Sequence, residues 1–226
     1  MNIAMLGTGM VGRTLAGRLA GLGHDVVIGT RDVAELLGRS EQTIGGRTPP
    51  FSEWHQANSN VGLEAFEGAA VDAEIIFLAT VGNAALQVLR SAGEDNIAGK
   101  VVVDVSNPLD FSHSPPALSV CNTESLGEQI QSVFPQAKVV KTLNTMNASV
   151  MADPRALGGG DHNVFMSGND AGAKEKVAGL LREFGWDHIV DLGDITTARG
   201  TEMYLPLWLR AMQALGTPTF NLKLVT

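Results

Sequence analysis

The chain has few of the side chains on which covalent or metal chemistry is built. A single cysteine, Cys121, in 226 residues excludes an internal disulfide. None of the five histidines forms a metal-ligand spacing with that cysteine or with another histidine. The sequence also contains no nucleophile elbow and no catalytic-triad pattern. We therefore predict no metal site and no protein nucleophile.

Long apolar runs are absent as well. No stretch is apolar over enough length to span a bilayer, and the run Leu205–Leu215 is short and carries Arg210. The apolar amino terminus lacks a basic start and is broken by Gly7 and Gly9, which does not fit a secretory signal. Together with the lone cysteine, this predicts a protein of the reducing cytoplasm.

Basic residues are outnumbered by acidic ones. The chain has 16 Lys and Arg against 24 Asp and Glu, a net charge of -8 and a pI near 5.0. This balance argues against nucleic acid as the main partner. It does not exclude an anionic cofactor, because a cofactor is bound by local donors rather than by the net charge. Hydrophobic residues make up 44% of the chain, enough to bury a core.

Short apolar runs alternate with helical patterns over the first two thirds of the chain. The predicted strands are Asn2–Leu6, Asp25–Ile28, Glu74–Ala79, Lys100–Val105 and Ala137–Leu143. The predicted helices are Val11–Leu22, Ala84–Ser91 and Glu124–Phe134. Continuously apolar strands are typical of a parallel sheet covered on both faces. We predict an α/β fold with a Rossmann-type doubly wound parallel sheet.

The pattern changes after Asn144. Two predicted strands, Asn163–Gly168 and His188–Asp191, flank a predicted helix, Ala171–Phe184, and a longer helix, Arg199–Leu215, follows. We therefore predict two domains, an NADP-binding domain over residues 1–145 and a small carboxyl-terminal α/β domain over 146–226. Segments rich in Gly, Pro and polar residues are predicted to be surface loops, namely Gly45–Asn60 and Asp110–Thr123.

A glycine-rich motif stands where the first strand meets the first helix. It reads Gly7-Thr8-Gly9-Met10-Val11-Gly12, a G-x-G-x-x-G pattern followed by a second strand at the right interval. Gly7 permits a tight turn, Gly9 leaves room for a pyrophosphate against the backbone, and Gly12 lets the helix approach the strand. The first-turn amides of the helix then face the phosphates. We predict that these six residues bind a dinucleotide.

The end of the second strand indicates which dinucleotide is bound. An NAD-binding protein usually has Asp or Glu there, to bind the ribose 2′-hydroxyl. This chain has Gly29-Thr30-Arg31 instead. A hydroxyl and a guanidinium would bind a 2′-phosphate, which a carboxylate would repel. We predict NADP contacts from Thr30 and Arg31; were Asp32 to occupy the acidic position, NAD would be the cofactor instead.

Three further loops are expected at the carboxyl ends of strands, where ligands of open α/β sheets bind. They are Thr80-Val81-Gly82-Asn83, Ser106-Asn107-Pro108 and Asn144-Thr145-Met146-Asn147. All are rich in small polar groups and carry no carboxylate, which suits contact with ribose, phosphate and a nicotinamide amide. The residues predicted to bind the cofactor from these loops are Thr80, Val81, Asn83, Ser106, Asn107, Pro108, Thr145 and Met146.

These motifs together resemble a known family. The glycine loop, Gly29-Thr30-Arg31, the segment Lys141–Asn147, Leu205-Pro206-Leu207-Trp208 and Phe220-Asn221 are similar to the NADP oxidoreductases that use the deazaflavin F420. A weaker likeness, without the carboxyl-terminal pattern, extends to the NADPH domain of the Steap metalloreductases. The resemblance implies a Rossmann domain with a small carboxyl-terminal domain, frequently dimeric, and hydride exchange between NADP and F420.

The resemblance also assigns residues. It places Thr30 and Arg31 on the 2′-phosphate, and it places the nicotinamide against Thr80, Val81, Asn107 and Met146. Leu205, Leu207 and Trp208 would lie near the second substrate or a dimer contact. The helix Arg199–Leu215 is apolar around much of its circumference, which also favours a homodimer.

The acceptor of the hydride is left open at this point, between F420 and a flavin such as FMN. We predict no catalytic side chain, because a ring acceptor needs no protein acid and the only proton-donor candidates are His55, Lys141 and Tyr204. Two alternatives remain. One is a reductase of a small imine or carbonyl, and the other is a non-catalytic NADP(H)-binding protein.

Overall fold

The computed structural model describes residues 1–39 and 49–225. The strands are β1 (Asn2–Leu6), β2 (Asp25–Thr30), β3 (Gly62–Ala65), β4 (Ile75–Leu78), β5 (Val101–Asp104), β6 (Leu109–Asp110), β7 (Ala117–Leu118), β8 (Lys138–Thr142), β9 (Val164–Gly168) and β10 (Ile189–Asp191). The helices are α1 (Met10–Gly21), α2 (Val33–Gly38), α3 (Phe51–Ala57), α4 (Phe66–Val71), α5 (Ala85–Ala92), α6 (Glu94–Ile97), α7 (Leu126–Val133), α8 (Ala148–Ala152), α9 (Ala171–Phe184), α10 (Ala198–Met203) and α11 (Leu205–Leu215). Four short 3₁₀ turns complete the description, at Gly82–Ala84, Pro154–Ala156, Gly158–Gly160 and Ile195–Thr197.

Eight of these strands form one sheet in the order β10-β9-β8-β5-β4-β1-β2-β3. All neighbouring pairs are parallel except β8 and β9, which run antiparallel. The chain winds outward from β1 in both directions, which confirms the predicted Rossmann-type doubly wound sheet. Parallel strands bring their carboxyl ends to one edge, so the loops after β1, β2, β4, β5 and β8 lie side by side there.

The sheet is apolar on both faces because each face is covered by helices. Alternate residues of β1 show this: Ile3 and Met5 belong to the core under α1 and α9, whereas Ala4 and Leu6 belong to the core under α4, α5 and α7. The β4 and β5 strands are buried almost throughout. Burial on both faces explains why these strands are continuous apolar runs rather than alternating ones.

Helix α9 coincides with its predicted bounds, and its ends have clear local causes. The side chain of Asp170 accepts a hydrogen bond from the Ala173 amide and caps the first turn. Gly185 follows the last turn with φ of 105°, a left-handed conformation that glycine adopts without a steric penalty. Both signals are local, which is why sequence alone locates them.

The two predicted surface loops contain regular structure. Residues 51–57 of the predicted loop Gly45–Asn60 form α3, which starts directly after Pro50; residues 45–48 lie outside the described residues. Phe51 is buried and Trp54 packs against the main core, so this part of the segment covers the sheet. The predicted loop Asp110–Thr123 contributes to the antiparallel ribbon of β6 and β7. The polar residues and prolines of the two segments are typical of loops, and the sequence therefore did not indicate α3 or the ribbon of β6 and β7.

The single helix predicted over Arg199–Leu215 was wrong: the chain forms α10 and α11 with a break at Tyr204. Pro206 has no amide hydrogen to donate back to the preceding turn, and proline is tolerated only in the first turn of a helix. It therefore begins α11 rather than continuing α10.

The carboxyl-terminal strands extend the same sheet, because β9 pairs with β8 along Val140–Thr142 and β10 pairs with β9. The division at residue 145 stays a prediction. Among the described residues, no helix combines the length and apolar content needed to cross a bilayer.

Candidate dinucleotide site and adjoining cavity

Two glycines of the amino-terminal motif are required by close packing. Gly7 has φ of 135°, and a Cβ added there would stand 2.3 Å from the Ala79 carbonyl oxygen. A Cβ at Gly12 would stand 2.2 Å from the Gly7 carbonyl oxygen. Any side chain at either position would collide with main chain. These two residues therefore fix the turn and seat α1 on the sheet.

Gly9 has a different surrounding. A Cβ added at Gly9 would meet none of the described atoms within 4 Å, so the part of the chain that the structure describes leaves space beside this residue. Gly9 is also the residue before α1, and that helix begins with no side-chain cap and no acidic residue in its first turn. Among the described residues no side chain caps its first amides, whereas α7 and α9 are capped by Ser125 and Asp170. This is the arrangement that receives an anion at a helix amino terminus.

The open space beside Gly9 belongs to a cavity of about 460 Å³ at the carboxyl edge of the sheet. Its lining residues are Gly7, Thr8, Gly9, Met10, Val11, Gly29, Thr30, Arg31, Asp32, Glu35, Leu36, Arg39, Phe66, Ala79, Thr80 and Val81. We call it the first cavity. It joins the glycine loop to the end of β2 and to the loop after β4. A dinucleotide needs contacts to pyrophosphate and to a ribose at the end of the second strand, and the residues present fit it.

The end of β2 supplies a hydroxyl and a guanidinium to the first cavity. Thr30 is buried and Arg31 is exposed. The Asp32 carboxylate also lines the cavity, but one of its oxygens accepts a hydrogen bond from the Glu35 amide at 2.9 Å and caps α2. Asp32, the residue that would bind the ribose in an NAD-type site, is thus also the cap of α2.

Arg13 supports the glycine loop from behind, and the sequence patterns did not single it out. Its side chain is buried; Nε donates to the Thr8 carbonyl at 2.8 Å and Nη1 donates to the Pro49 carbonyl at 2.6 Å. The guanidinium also lies 5.1 Å from the centre of the Phe51 ring. Arg13 therefore connects the glycine loop to α3. An Arg in the first helix with no nearby acid is the only sequence signal that pointed to it.

The loops after β4, β5 and β8 contact one another in that order. A Cβ at Gly82 would stand 2.2 Å from the Asn107 carbonyl oxygen, so these two loops are in van der Waals contact. Asn107 and Asn144 exchange two hydrogen bonds, of 2.9 Å to the Asn144 carbonyl and 3.0 Å between the side chains. Leu143, just before, has φ of 62°, a strained conformation for a bulky residue and one found at functional sites.

A second cavity, of about 270 Å³, lies at the far end of this row of loops. It is lined by Thr145, Phe165, Leu192, Gly200, Thr201, Tyr204 and Leu222. These residues come from the loop after β8, from β9, from the segment directly after β10, from α10 and its carboxyl end, and from the carboxyl-terminal segment. The lining is largely apolar, and it contains no charged side chain among the described residues.

The sequence-predicted cofactor residues fall into two groups. Those that line the first cavity are Gly7, Thr8, Gly9, Met10, Val11, Thr30, Arg31, Thr80 and Val81. Those that do not are Gly12, Asn83, Ser106, Asn107, Pro108, Thr145 and Met146. Gly12 lies behind the glycine loop. The others lie on the loops between the two cavities, where Thr145 reaches the second cavity and Ser106, Pro108 and Met146 are buried.

A cluster of charged side chains is buried directly below these loops. The Lys141 ammonium lies 2.8 Å from Asp104 Oδ2 and 2.9 Å from Glu202 Oε1, and all three side chains are almost completely buried. Burial disfavours the charged form of Lys141, but the charges of Asp104 and Glu202 outweigh burial and raise the pKa of Lys141 above its ordinary value. Nothing in the glycine or loop motifs predicted this cluster, because its members are far apart in sequence.

The three candidate proton donors differ in their surroundings. Lys141 is enclosed in the charged cluster. The ring of His55 stacks on Phe51, and its Nε2 lies 2.9 Å from the Val61 carbonyl oxygen. Tyr204 lines the second cavity, and burial raises the pKa of its phenol. Within the described ranges, no group of three or more His, Cys, Asp or Glu side chains could hold a metal ion.

The fold and the first cavity define a dinucleotide-binding protein of the Rossmann type. Comparison with known proteins identifies the family to which this chain belongs. The sequence model of the family described as "NADP oxidoreductase coenzyme F420-dependent" matches residues 2–108. A crystal structure from Arthrobacter sp. FB24, provisionally named an F420-dependent NADP reductase, is 56% identical with a TM-score of 0.95, and the match covers 100% of both chains. The chain belongs to the F420-dependent NADP oxidoreductase family and is an NADP-dependent oxidoreductase.

Two curated relatives match along almost the whole chain. The F420-dependent NADP reductase of Methanocaldococcus jannaschii is 27% identical over 212 residues, 92% of this chain and 90% of that protein. The metalloreductase STEAP3 of Rattus norvegicus is 30% identical over 212 residues, but this chain spans only 38% of its length. That match covers 92% of this chain; whether Steap proteins lack the carboxyl-terminal pattern stays a prediction.

Proposed function

We propose that the protein transfers a hydride between NADPH and a deazaflavin or flavin ring, with F420 as the favoured acceptor and FMN as the second choice. The observation that carries the proposal is the apolar second cavity, which stands beside the predicted nicotinamide loops and has no charged side chain among the described residues of its lining. A planar, largely apolar ring suits such a cavity. The names of the Arthrobacter and Methanocaldococcus relatives favour F420 over other rings.

The first cavity would hold the dinucleotide. The amides at the start of α1 would bind the pyrophosphate beside Gly9, and Thr30 and Arg31 would bind the 2′-phosphate. Arg31 supports NADP over NAD, because its guanidinium lines the first cavity at the end of β2, where it would pair with a 2′-phosphate. Thr80, Val81, Asn83, Ser106, Asn107, Pro108, Thr145 and Met146 would then surround the nicotinamide half.

The protein's part in the reaction would be orientation. NADPH supplies the two electrons and the hydrogen as a hydride, and the proton that completes the reduced ring comes from solvent. The loops between the cavities would hold donor and acceptor in a near-attack geometry, a contribution worth roughly 7–11 kcal/mol when alignment is good. No side chain needs to exchange a proton in the hydride step, in keeping with the enclosed Lys141 and the acid-free loops.

A symmetric dimer is part of the proposal. On α11 only Leu205 is buried, whereas Leu207 and Leu215 are 62% and 60% exposed. A second copy of the same helix is the partner that would cover this apolar face. A monomeric mass at micromolar concentration would contradict the dimer.

We also propose a division into two domains at residue 145 and a cytoplasmic location. The location is proposed because the lone Cys121 is an exposed free thiol.

The test is NADPH oxidation measured side by side with F420, FMN and FAD. The proposal predicts the highest kcat/KM with F420, a lower value with FMN, and a preference for NADPH over NADH. If no ring accepts the hydride while NADPH still binds, the protein is a reductase of another acceptor or a non-catalytic NADP(H)-binding protein. Small cyclic imines and carbonyls assayed in parallel separate those two outcomes.

A further inference from the structure

The buried charged cluster lies below the loop after β5 and beside the second cavity, and it lines neither cavity. Asp104 ends β5, directly before the loop Ser106-Asn107-Pro108, and its register partner on β8 is Lys141. Glu202 belongs to α10, next to Thr201 in the lining of the second cavity. The cluster therefore joins three elements that the sequence separates widely.

All three hydrogens of the Lys141 ammonium have acceptors. Nζ donates to Asp104 Oδ2 at 2.8 Å and to the Ser106 carbonyl at 2.6 Å, and it pairs with Glu202 Oε1 at 2.9 Å. An ammonium has no further donor and no acceptor. Its position is therefore set by the loop after β5 on one side and by α10 on the other.

The two carboxylates are anchored in turn. Asp104 Oδ1 accepts from the Ser106 amide at 2.9 Å and from the Ser106 hydroxyl. Glu202 accepts from the Leu126 amide at 2.8 Å and from the Gly127 amide at 3.0 Å, at the start of α7. The network is continuous from the amide of Ser106, through the ammonium, to α10 and α7, so it links the loop after β5 to both helices.

The stability of the fold does not explain this cluster. Removing charges from water costs about as much as their mutual attraction returns, and apolar side chains of similar volume frequently stabilise a protein as well or better. A fully satisfied buried network instead selects one arrangement of the elements that it joins. Here those elements carry a predicted nicotinamide loop and one wall of the second cavity.

We propose that Lys141 is a positioning residue, which fixes the loop 106–108 relative to α10 and thereby the first cavity relative to the second. The assignment of donor and acceptor to the two cavities rests on the proposed function; the mechanical coupling through Lys141 does not. The first experiment therefore measures the coupling without any cofactor.

The variant for that experiment is Glu202→Gln, which keeps the Lys141–Asp104 pair. The amide has one acceptor oxygen where the carboxylate has two, so it cannot satisfy the ammonium and both α7 amides together. Amide-resolved hydrogen exchange should show faster exchange at Leu126 and Gly127, which Glu202 contacts, and at least tenfold faster exchange at Ser106, which it does not contact.

The matched control is Ser125→Ala. It removes the side-chain cap of α7 at the Glu128 amide but leaves the cluster intact. Exchange should then rise at the start of α7 and stay as in the parent at Ser106. Unchanged protection of Ser106 in Glu202→Gln, or equal loss in both variants, would overturn the proposal.

The second experiment concerns the reaction. Glu202→Gln should lower the single-turnover rate of hydride transfer ten- to a hundredfold, because misplacement of the reactants by about an ångström has an effect of that size. The Kd of NADPH, measured by its fluorescence, should change less than threefold. A rate that falls only in proportion to NADPH binding or to the folded fraction would contradict a positioning role. If no ring acceptor works at all, the proposed function fails, and the exchange experiment still decides the role of Lys141.

Discussion

The two cavities at the carboxyl edge of the sheet are built in opposite ways. The first is lined by the glycine loop, by the end of β2 with the helix that follows it, by one residue of α4 and by the loop after β4, and its lining includes charged side chains. The second is lined by residues of the loop after β8, of β9, of the segment after β10, of α10 and its carboxyl end, and of the carboxyl-terminal segment, with no charged side chain among the described residues. A polar cofactor with phosphates needs fixed backbone donors, whereas a ring needs a shaped apolar wall. We therefore expect a substitution in one cavity to weaken the binding of one ligand and to leave the binding of the other ligand unchanged.

The largest effect is expected from Gly9→Val. The side chain fits without clashing with the protein, because a Cβ at Gly9 meets nothing within 4 Å. It would instead occupy the space for the pyrophosphate, so NADPH binding should be abolished while the fold is kept. Titration calorimetry and thermal unfolding on the same sample check both statements.

Gly12→Ala is the contrasting control within the same motif. Its Cβ would stand 2.2 Å from the Gly7 carbonyl oxygen, so overpacking should cost about 1–3 kcal/mol of stability. Normal NADPH binding by Gly9→Val would place the phosphates elsewhere, and equal stability losses in the two variants would remove the distinction between the glycines.

Arg31→Ala should have the next largest effect. The loss of a charge-assisted contact to the 2′-phosphate costs about 1.5–3 kcal/mol, roughly ten- to a hundredfold in NADPH affinity. NADH has no 2′-phosphate, so its affinity should barely change. Parallel fluorescence titrations with both nucleotides measure this, and equal losses for the two would contradict the assignment of Arg31.

Gly200→Leu tests the other side of the comparison. Gly200 lines the second cavity, and a Cβ there meets nothing within 4 Å. A leucine would fill space proposed for the acceptor and raise the acceptor KM roughly tenfold or more, with the Kd of NADPH unchanged. Gly200→Ala is the matched control, since it adds little volume and should stabilise α10 by about 0.5–1 kcal/mol. A parallel rise of acceptor KM and NADPH Kd would mean that the cavities do not act separately.

Tyr204→Phe should have the smallest effect. Burial raises the pKa of this phenol, so it is neutral at physiological pH, and a ring acceptor does not need its proton. Single-turnover hydride transfer should stay within about threefold of the parent rate, well below the 10²–10⁴-fold contribution of an essential general acid. Loss of turnover with NADPH still bound would make a protein acid essential and favour the imine or carbonyl reductase alternative.

The same contrast explains what the sequence could predict. The glycine motif, Thr30-Arg31 and the apolar strands are local signals, so the fold class is confirmed. Nine of the predicted cofactor residues lie together in the lining of the first cavity, and their contact with the cofactor stays a prediction. The ammonium of Lys141 between Asp104 and Glu202 depends on strand register and on where α10 packs, which no local pattern contains. The break at Tyr204 could have been predicted, because Pro206 is a strong local signal for the start of a new helix. The continuous apolar run around Pro206 favoured a single helix instead.

The most direct test of the account follows the hydrogen itself. NADPH carrying deuterium at the transferred C4 position would be oxidised with F420 in a single turnover, and the reduced deazaflavin analysed by mass spectrometry. A direct hydride transfer places the deuterium on a ring carbon of the acceptor, where it does not exchange with water. The account predicts that the reduced F420 retains the deuterium in full. Deuterium released to solvent, or NADPH left unoxidised, would contradict it.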